Sequence, residues 1–287
     1  MKKMQLALVA FAALSAALFG GLWWHLGTVL LTPNRHAISK PADPNLSEVS
    51  FTDEKNHLIR AWWMREPKSV SVVLLVHGIH ADKRALLERA RFVNRLGYSA
   101  LLIDLPGHGE SGGDHVTFGP DEGSAVSAAL KWIKVNNPNC LVGADGLSLG
   151  GAGILLREEN SGFDAVVVEA VFPDIRRALK NRLSARFSWI GPLLEPLFIV
   201  QLKVRLGLDL DQLSPSRQIS KVGCPVLVLG GERDSRTKLT ETKELFDNAS
   251  EPKQLCVFSG CGHDDFLARQ PTKYHEVVGR FFKQYLK

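Results

Sequence analysis

The sequence predicts an α/β fold in which a mostly parallel central sheet has helices on both of its faces. Short runs rich in valine and leucine, such as residues 70–76, are typical of strands that are buried on both sides in a parallel sheet. These runs alternate with longer stretches of helical spacing, as repeated strand–helix units do. The chain has 287 residues, which allows two domains or one large α/β domain, and it is 45% hydrophobic, which excludes a disordered protein.

An apolar segment precedes the predicted domain. Residues 4–31 contain one ionisable side chain, His25, and exceed the ~20 residues that cross a bilayer as a helix. We therefore predict that residues 1–31 form an uncleaved, single-pass transmembrane anchor. Lys2 and Lys3 would stay in the cytoplasm, so the bulk of the chain would be extracytoplasmic. The alternatives are a cleaved signal segment, which would give a periplasmic or secreted protein, and a buried core helix.

The rest of the chain is predicted to be a linker followed by one folded unit. Residues 32–47 are rich in proline and asparagine, which favours a linker. Residues 48–52 and 58–64 are strand-like runs joined by a turn, which indicates a β-hairpin. Further strands are predicted at residues 70–76, 100–103, 140–144, 165–168, 225–229 and 254–258. Helices are predicted at residues 83–96, 121–135, 149–159, 238–248 and 271–286.

Residues that can carry chemistry follow three of these strands. Residues 146–150 read Gly-Leu-Ser-Leu-Gly between a strand and a helix, a tight turn that exposes the Ser148 hydroxyl. Asp234 and His263 directly follow the strands at 225–229 and 254–258. Since parallel strands end at one edge of a sheet, we expect a catalytic triad. His263 would take the proton of Ser148, and Asp234 would orient His263.

Several alternatives accompany this triad. Glu232 and, more distantly, Glu169 compete with Asp234 as the acid, and residues 146–150 could be a tight turn without a catalytic role. The two N–H donors of an oxyanion hole are predicted at Leu149, which follows the serine, and at Ile79. His77 is expected to fix that second loop through hydrogen bonds, because a histidine pair without nearby carboxylates or cysteines is a weak metal motif. We expect no metal and no cofactor.

Together these motifs resemble the α/β-hydrolase superfamily, from about residue 48 to the C-terminus. Residues 104–111, Asp-Leu-Pro-Gly-His-Gly-Glu-Ser, are similar to a loop that many members carry at the floor of the active site. The chain looks most like bacterial membrane-anchored members of the dienelactone-hydrolase and serine-aminopeptidase-like branch. The resemblance implies an α/β-hydrolase domain at 48–287 with a helical cap inserted at about 172–215. Asp145 and the Asp-Ser-Arg sequence at 234–236 depart from the usual pattern.

The expected function is that of a carboxylesterase-like serine hydrolase, which acts on an ester or related acyl bond through an acyl-enzyme. A peptidase or amidase, an acyltransferase, and a non-catalytic binding protein of the same fold are the alternatives. The apolar cap favours a small acyl or aromatic substrate over a sugar or phosphate. The net charge of +5, which becomes +3 without Lys2 and Lys3, is too small to indicate nucleic-acid binding. No obligate protein partner is indicated. The basic residues of the cap are expected to face solvent, and contact with anionic lipid is the alternative.

Overall fold

A sheet of eight strands forms the centre of the protein in the computed structural model, which describes residues 2–159 and 162–287. Along the chain the strands are β1 (Asn34–Arg35), β2 (Leu46–Thr52), β3 (Leu58–Met64), β4 (Ser71–Val76), β5 (Ser99–Ile103), β6 (His108–Gly109), β7 (Leu141–Leu147), β8 (Ala165–Glu169), β9 (Val226–Gly231) and β10 (Lys253–Phe258). The helices are α1 (Lys2–Leu31), α2 (Leu87–Arg95), α3 (Pro120–Asn136), α4 (Leu149–Leu155), α5 (Ile175–Phe187), α6 (Gly191–Leu206), α7 (Pro215–Gln218), α8 (Leu239–Asn248), α9 (Phe266–Arg269) and α10 (Pro271–Tyr285).

The strand order confirms the predicted sheet. It runs β2-β3-β5-β4-β7-β8-β9-β10 from one edge to the other. The hairpin strands β2 and β3 are antiparallel, and β3 also runs antiparallel to β5, whereas all other neighbours are parallel. Because the parallel strands all end at one edge, the loops after β4, β7, β9 and β10 lie at that edge together.

Helices cover both faces of the sheet, as predicted. Alternate residues of β4 belong to two different hydrophobic cores, since neighbouring side chains of a strand point to opposite faces. Val72, Leu74 and Val76 share one core with side chains of α3, α4 and α8. Val73 and Leu75 share the other core with side chains of α2, α9 and α10.

Some elements differ from their predicted extents. The helix expected over 149–159 ends at Leu155. Glu158 and Glu159 would have stood near its C-terminus, where the helix dipole disfavours negative charge. The predicted helix at 83–96 begins as a 3₁₀ turn and becomes α-helical only at Leu87. The stretch at 32–47 contains β1, which pairs with β6, so this stretch is hydrogen bonded to the body of the protein.

Helix α1 is a candidate membrane span that also contacts the rest of the protein. It has 30 residues, or about 45 Å, and Met4–Val29 has a mean hydropathy of 2.1. The Gln201 Nε2 amide of α6 donates to the backbone oxygen of Trp23 at 2.6 Å. Arg205 of α6 donates to the Trp24 oxygen at 2.6 Å, and its guanidinium lies 3.8 Å from the centre of the Trp24 ring. The C-terminal part of α1 is therefore attached to α6.

The connection between β8 and β9 is helical. It contains α5, α6 and α7, and α5 packs along α6. Several large apolar side chains of this connection are exposed, namely Phe187, Trp189, Ile190, Leu193, Leu197, Val200 and Val204. We call this connection the cap, because α5 and α6 lie over the edge of the sheet where Ser148 is located.

Candidate active site

A strained turn between β7 and α4 presents Ser148. The backbone of Ser148 has φ 51° and ψ −108°, a conformation that is costly for a residue with a side chain. A Cβ atom at Gly146 would lie 2.6 Å from the nitrogen of Gly151, and one at Gly150 would lie 2.3 Å from the oxygen of Val76. The two glycines of the G-x-S-x-G sequence are thus required by the close approach of the backbone. The turn is further held by the Ser148 N–H, which donates to the Glu169 oxygen at 2.7 Å.

The three residues predicted to form a triad meet in the structure. The Oγ atom of Ser148 lies 3.1 Å from Nε2 of His263, and Nδ1 of the same ring lies 2.8 Å from Oδ2 of Asp234. An ionised carboxylate only accepts hydrogen bonds, so Nδ1 carries the proton and donates it to Asp234. Nε2 is then free to accept the hydroxyl proton of Ser148. The Asp234 side chain is fully buried, whereas 14% of the His263 side chain is exposed.

Backbone groups hold the carboxylate of Asp234 in place. Its Oδ1 atom accepts hydrogen bonds from the N–H groups of Arg236 at 2.7 Å and Thr237 at 2.8 Å. The unusual Asp-Ser-Arg sequence therefore still forms a turn that orients the acid. Neither rival acid lies at His263: Glu232 accepts from the Gly260 N–H, and Glu169 pairs with Arg89.

The loop after β4 passes close to the serine. His77 is buried, and its Nδ1 donates to the Gly78 oxygen at 2.8 Å while its Nε2 accepts from the Leu105 N–H at 3.1 Å. These two bonds fix the loop as expected and leave neither ring nitrogen available as a metal ligand. Because the Gly78 oxygen faces His77, the N–H of the same trans peptide, which belongs to Ile79, points the opposite way.

The predicted oxyanion donors line one cavity with Ser148. Within the described chain, the Ile79 N–H has no hydrogen-bond partner. The Leu149 N–H is in the first turn of α4, where N–H groups have no partner inside the helix. Ile79, Leu149, Ser148 and His263 all border the cavity. The role of the two N–H groups as an oxyanion hole stays a prediction.

The protonation of His77 makes the stability of the fold sensitive to acid. Burial, and then the neighbouring His108, lower the pKa of His77 to about 3. Between this value and the ordinary pKa of ~6.5, the unfolded chain binds a proton that the folded chain does not. Stability therefore falls as the pH falls. From pH 7 to pH 5, we expect the wild type to lose about 2 kcal/mol more unfolding free energy than His77→Asn.

Urea unfolding of the full chain in detergent at the two pH values measures this difference. The control is His115→Asn, which removes an exposed histidine and should lose as much as the wild type. Equal losses in His77→Asn and the wild type would contradict the assignment of the acid sensitivity to His77.

The cavity above Ser148 is mainly apolar. The apolar lining comes from both the body and the cap, namely Ile79, Phe118, Leu149, Phe172, Ile175, Ala178, Leu179 and Leu202. Besides Ser148 and His263, the polar side chains in the lining are Arg182, Arg236 and Thr237. The sequence predicted the basic residues of the cap to face solvent, and Arg182 is an exception because α5 turns it toward the cavity.

A buried polar cluster lies beneath the turn that carries Ser148. Arg89 donates to Glu169 from Nη2 at 2.9 Å and from Nε at 3.2 Å. The Tyr274 hydroxyl oxygen lies 2.7 Å from both Glu169 Oε1 and Asp145 Oδ2. Asp145 stands directly before the Ser148 turn, where an apolar residue is usual, and the structure gives it a polar partner from a distant part of the chain. The sequence marked this position as unusual but could not identify Arg89 and Tyr274.

The loop at 104–111 is tied to its surroundings by a buried ion pair. Lys83 Nζ donates to Asp104 Oδ2 at 2.5 Å and to Glu110 Oε2 at 2.7 Å. Gly109 has φ +51°, and a Cβ there would lie 2.4 Å from the Asp104 carboxylate. The Leu105 N–H of this loop donates to His77, so the loop supports the backbone around Gly78.

The described residues contain neither a disulfide nor a cluster of metal ligands. In the described residues Cys140, Cys224, Cys256 and Cys261 are all free thiols, so the pair at 256 and 261 is not bridged. The same residues contain no group of three or more side chains arranged to hold a metal ion.

The fold and this site together define a class of protein, the α/β hydrolases: a mostly parallel sheet, a nucleophile-elbow turn after a central strand, and a histidine and an acid at the same edge. The chain belongs to the alpha/beta hydrolase family, whose model matches residues 73–277.

Individual relatives agree with this membership. The Bacillus subtilis protein YqkD is 25% identical over 230 residues, which cover 78% of this chain and 74% of the relative. The Danio rerio lysophosphatidylserine lipase ABHD12 is 26% identical over 195 residues, 64% of this chain and 48% of that protein. The Pyrococcus furiosus esterase Pf2001 has the same fold, with a TM-score of 0.73, 21% identity and coverage of 89% of this chain and 99% of that chain.

Proposed function

We propose that the protein is a serine hydrolase that cleaves a carboxylic ester through an acyl-enzyme on Ser148. The observation that carries the proposal is the continuous hydrogen-bonded series from Ser148 Oγ through His263 to the buried Asp234 carboxylate. A free serine hydroxyl is a weak nucleophile, and a neighbouring base with its own orienting acid removes that limitation. The family membership and the esterase and lipase relatives support hydrolysis as the reaction type.

The proposed reaction follows from the geometry. As Ser148 Oγ attacks the carbonyl carbon, its proton passes to His263 Nε2, and the carbonyl oxygen becomes an oxyanion that the N–H groups of Ile79 and Leu149 stabilise. The intermediate collapses, the bond to the alcohol oxygen breaks, and His263 returns the proton to that oxygen. Water then cleaves the acyl-enzyme by the same steps. The apolar cavity lining supports an acyl chain as the group transferred to the serine.

We propose that α1 anchors this enzyme in a membrane, with residues 32–287 on the extracytoplasmic side. Residues 1–31 would be the anchor, 32–47 a connecting stretch and 48–287 the hydrolase domain with its cap. The apolar side chains of α1, among them Leu6, Phe11 and Leu18, are exposed. Exposed apolar side chains of α6, including Leu193 and Val200, lie on the helix that α1 contacts, and they supply a second apolar surface for the bilayer interface.

A fluorophosphonate probe tests both proposals in one experiment. We expect the full chain in isolated membranes to form a covalent adduct that maps to Ser148, and Ser148→Ala to form none. The labelled band should remain in the membrane pellet after alkaline washing, because a spanning helix resists extraction. An intact, folded chain that does not react would contradict the hydrolase proposal, and a labelled band released by the wash would contradict anchoring by α1.

A further inference from the structure

Two arginines stand where the catalytic cavity meets a second groove. This groove runs between α1 and the cap, bordered by Leu26 and Val29 on one side and by Phe187 and Phe198 on the other. Three side chains line both the groove and the cavity above Ser148, namely Leu179, Arg182 and Arg236. A ligand that extends from the serine into the groove therefore passes both guanidinium groups.

The positive charge at this junction is not neutralised by the protein. In residues 2–159 and 162–287, neither the Arg182 nor the Arg236 guanidinium has a carboxylate within ion-pair distance or a hydrogen-bond partner. The two arginines at the start of α5, by contrast, have carboxylate partners. Arg176 pairs with Glu195 and Asp211. Arg177 pairs with Asp174 and Glu244. Helix α5 therefore has paired arginines at its start and an unpaired one toward the cavity.

Besides Arg186, His80 brings a further basic group to the same place. It borders the groove beside Arg182 and Arg236. Burial, and then the nearby Arg182, lower the pKa of His80, and burial followed by Arg236 lowers the pKa of Arg182. Both shifts have the direction expected for basic groups that lie close together and lack a counter-ion. An anion placed between them would relieve that repulsion.

We propose that Arg182 and Arg236 bind a negatively charged group, a carboxylate or a phosphate, on the alcohol half of the ester substrate. This inference rests on the proposed hydrolase function. It narrows the substrates to esters whose alcohol half carries a negative charge. The acyl chain occupies the apolar cavity, and the charged half extends toward the groove. The alcohol half is assigned to the arginines because Arg236 follows Asp234 in the turn that orients His263, and His263 must protonate the leaving oxygen. Guanidinium groups suit this role, since they donate paired hydrogen bonds to planar or tetrahedral anions.

Two esters with the same short acyl chain test this specificity. In one the alcohol half is neutral, and in the other it carries a carboxylate. We measure the ratio of kcat/KM for the anionic ester to kcat/KM for the neutral ester, below the micelle concentration of both. The wild type should have a ratio above one. The double variant Arg182→Gln/Arg236→Gln should lower the ratio about 10- to 100-fold, mainly through KM, because charge-assisted hydrogen bonds are lost.

Matched variants separate this specific effect from a general change in charge. Arg233→Gln removes an exposed arginine from the loop that carries Arg236, so its ratio should equal that of the wild type. Arg182→Lys/Arg236→Lys keeps both charges and should recover part of the ratio. Labelling of Ser148 by the fluorophosphonate confirms that each variant has a folded site.

The outcomes distinguish this inference from the proposed function. If the wild type hydrolyses neither ester and takes up no probe, the hydrolase proposal is wrong. If the wild type hydrolyses the neutral ester and the double glutamine variant has the same ratio as the wild type, the hydrolase proposal is supported and the proposed anion-binding site is wrong. A double variant that changes only sedimentation with anionic phospholipid vesicles would assign the arginines to the membrane surface and overturn the subsite.

Discussion

Replacing His263 by alanine, or Asp234 by asparagine, is expected to lower kcat for an ester substrate by about ten-thousand-fold or more. Without the imidazole, nothing accepts the proton of Ser148. With asparagine at 234, the side chain can present an N–H to the ring, and the proton then moves to the nitrogen that must accept from Ser148. Steady-state turnover of a chromogenic ester by purified full-length protein measures both effects. Binding of the ester should change far less than kcat.

A matched carboxylate variant tests the choice of acid. Glu232 lies two residues from Asp234, is exposed, and accepts a hydrogen bond from the Gly260 N–H. We therefore expect the kcat of Glu232→Gln to stay within about threefold of the wild-type value, because substitution of an exposed residue usually has a small effect. A large loss in Glu232→Gln together with near-normal turnover in Asp234→Asn would show that the acid is assigned to the wrong side chain.

The largest effect on stability is expected at Arg89. This residue is 3% exposed and provides the positive charge in a buried cluster with Glu169, Asp145 and Tyr274. Arg89→Met leaves buried carboxylates without a counter-ion, and we expect it to lower the free energy of unfolding by about 3–5 kcal/mol. Urea unfolding of the full chain in detergent measures the change. Turnover should fall as well, since the Glu169 backbone oxygen accepts the Ser148 N–H.

The charge balance of this cluster provides two controls. Burial, and then the neighbouring Glu169, raise the pKa of Asp145 well above its usual range, so ionisation of Asp145 is unfavourable in the folded protein. Asp145→Asn should then cost no more than about 1 kcal/mol. Arg91→Met, on the exposed side of α2, removes an i,i+3 pair with Glu88 and should cost less than about 0.5 kcal/mol. If Arg89→Met were as mild as Arg91→Met, the cluster would not be a buried ion pair.

The sequence was informative wherever a structural requirement is local. The glycines around Ser148 follow from the tightness of one turn, and the alternation of strands and helices predicts a sheet that collects Ser148, Asp234 and His263 at one edge. Ser148 and His263 are 115 positions apart, and Asp234 and His263 are 29 positions apart. The positions of these residues after their strands were nevertheless enough to predict that they meet.

Contacts that depend on packing between distant elements could not be predicted in this way. The partners of Asp145 include Tyr274, 129 positions away, and nothing in the local sequence of either residue indicates the other. The direction of Arg182 depends on the rotation of α5 over the sheet, which composition does not determine. The pairing of β1 with β6 involves two residues from each strand, too few to leave a periodic pattern.

The attachment of α6 to α1 has a mechanical consequence for how substrate reaches the serine. Gln201 and Arg205 of the cap donate hydrogen bonds to the backbone of Trp23 and Trp24. If α1 anchors the protein in a bilayer as we propose, a movement of α6 that opens the cavity above Ser148 has to break these hydrogen bonds or displace α1 within the membrane.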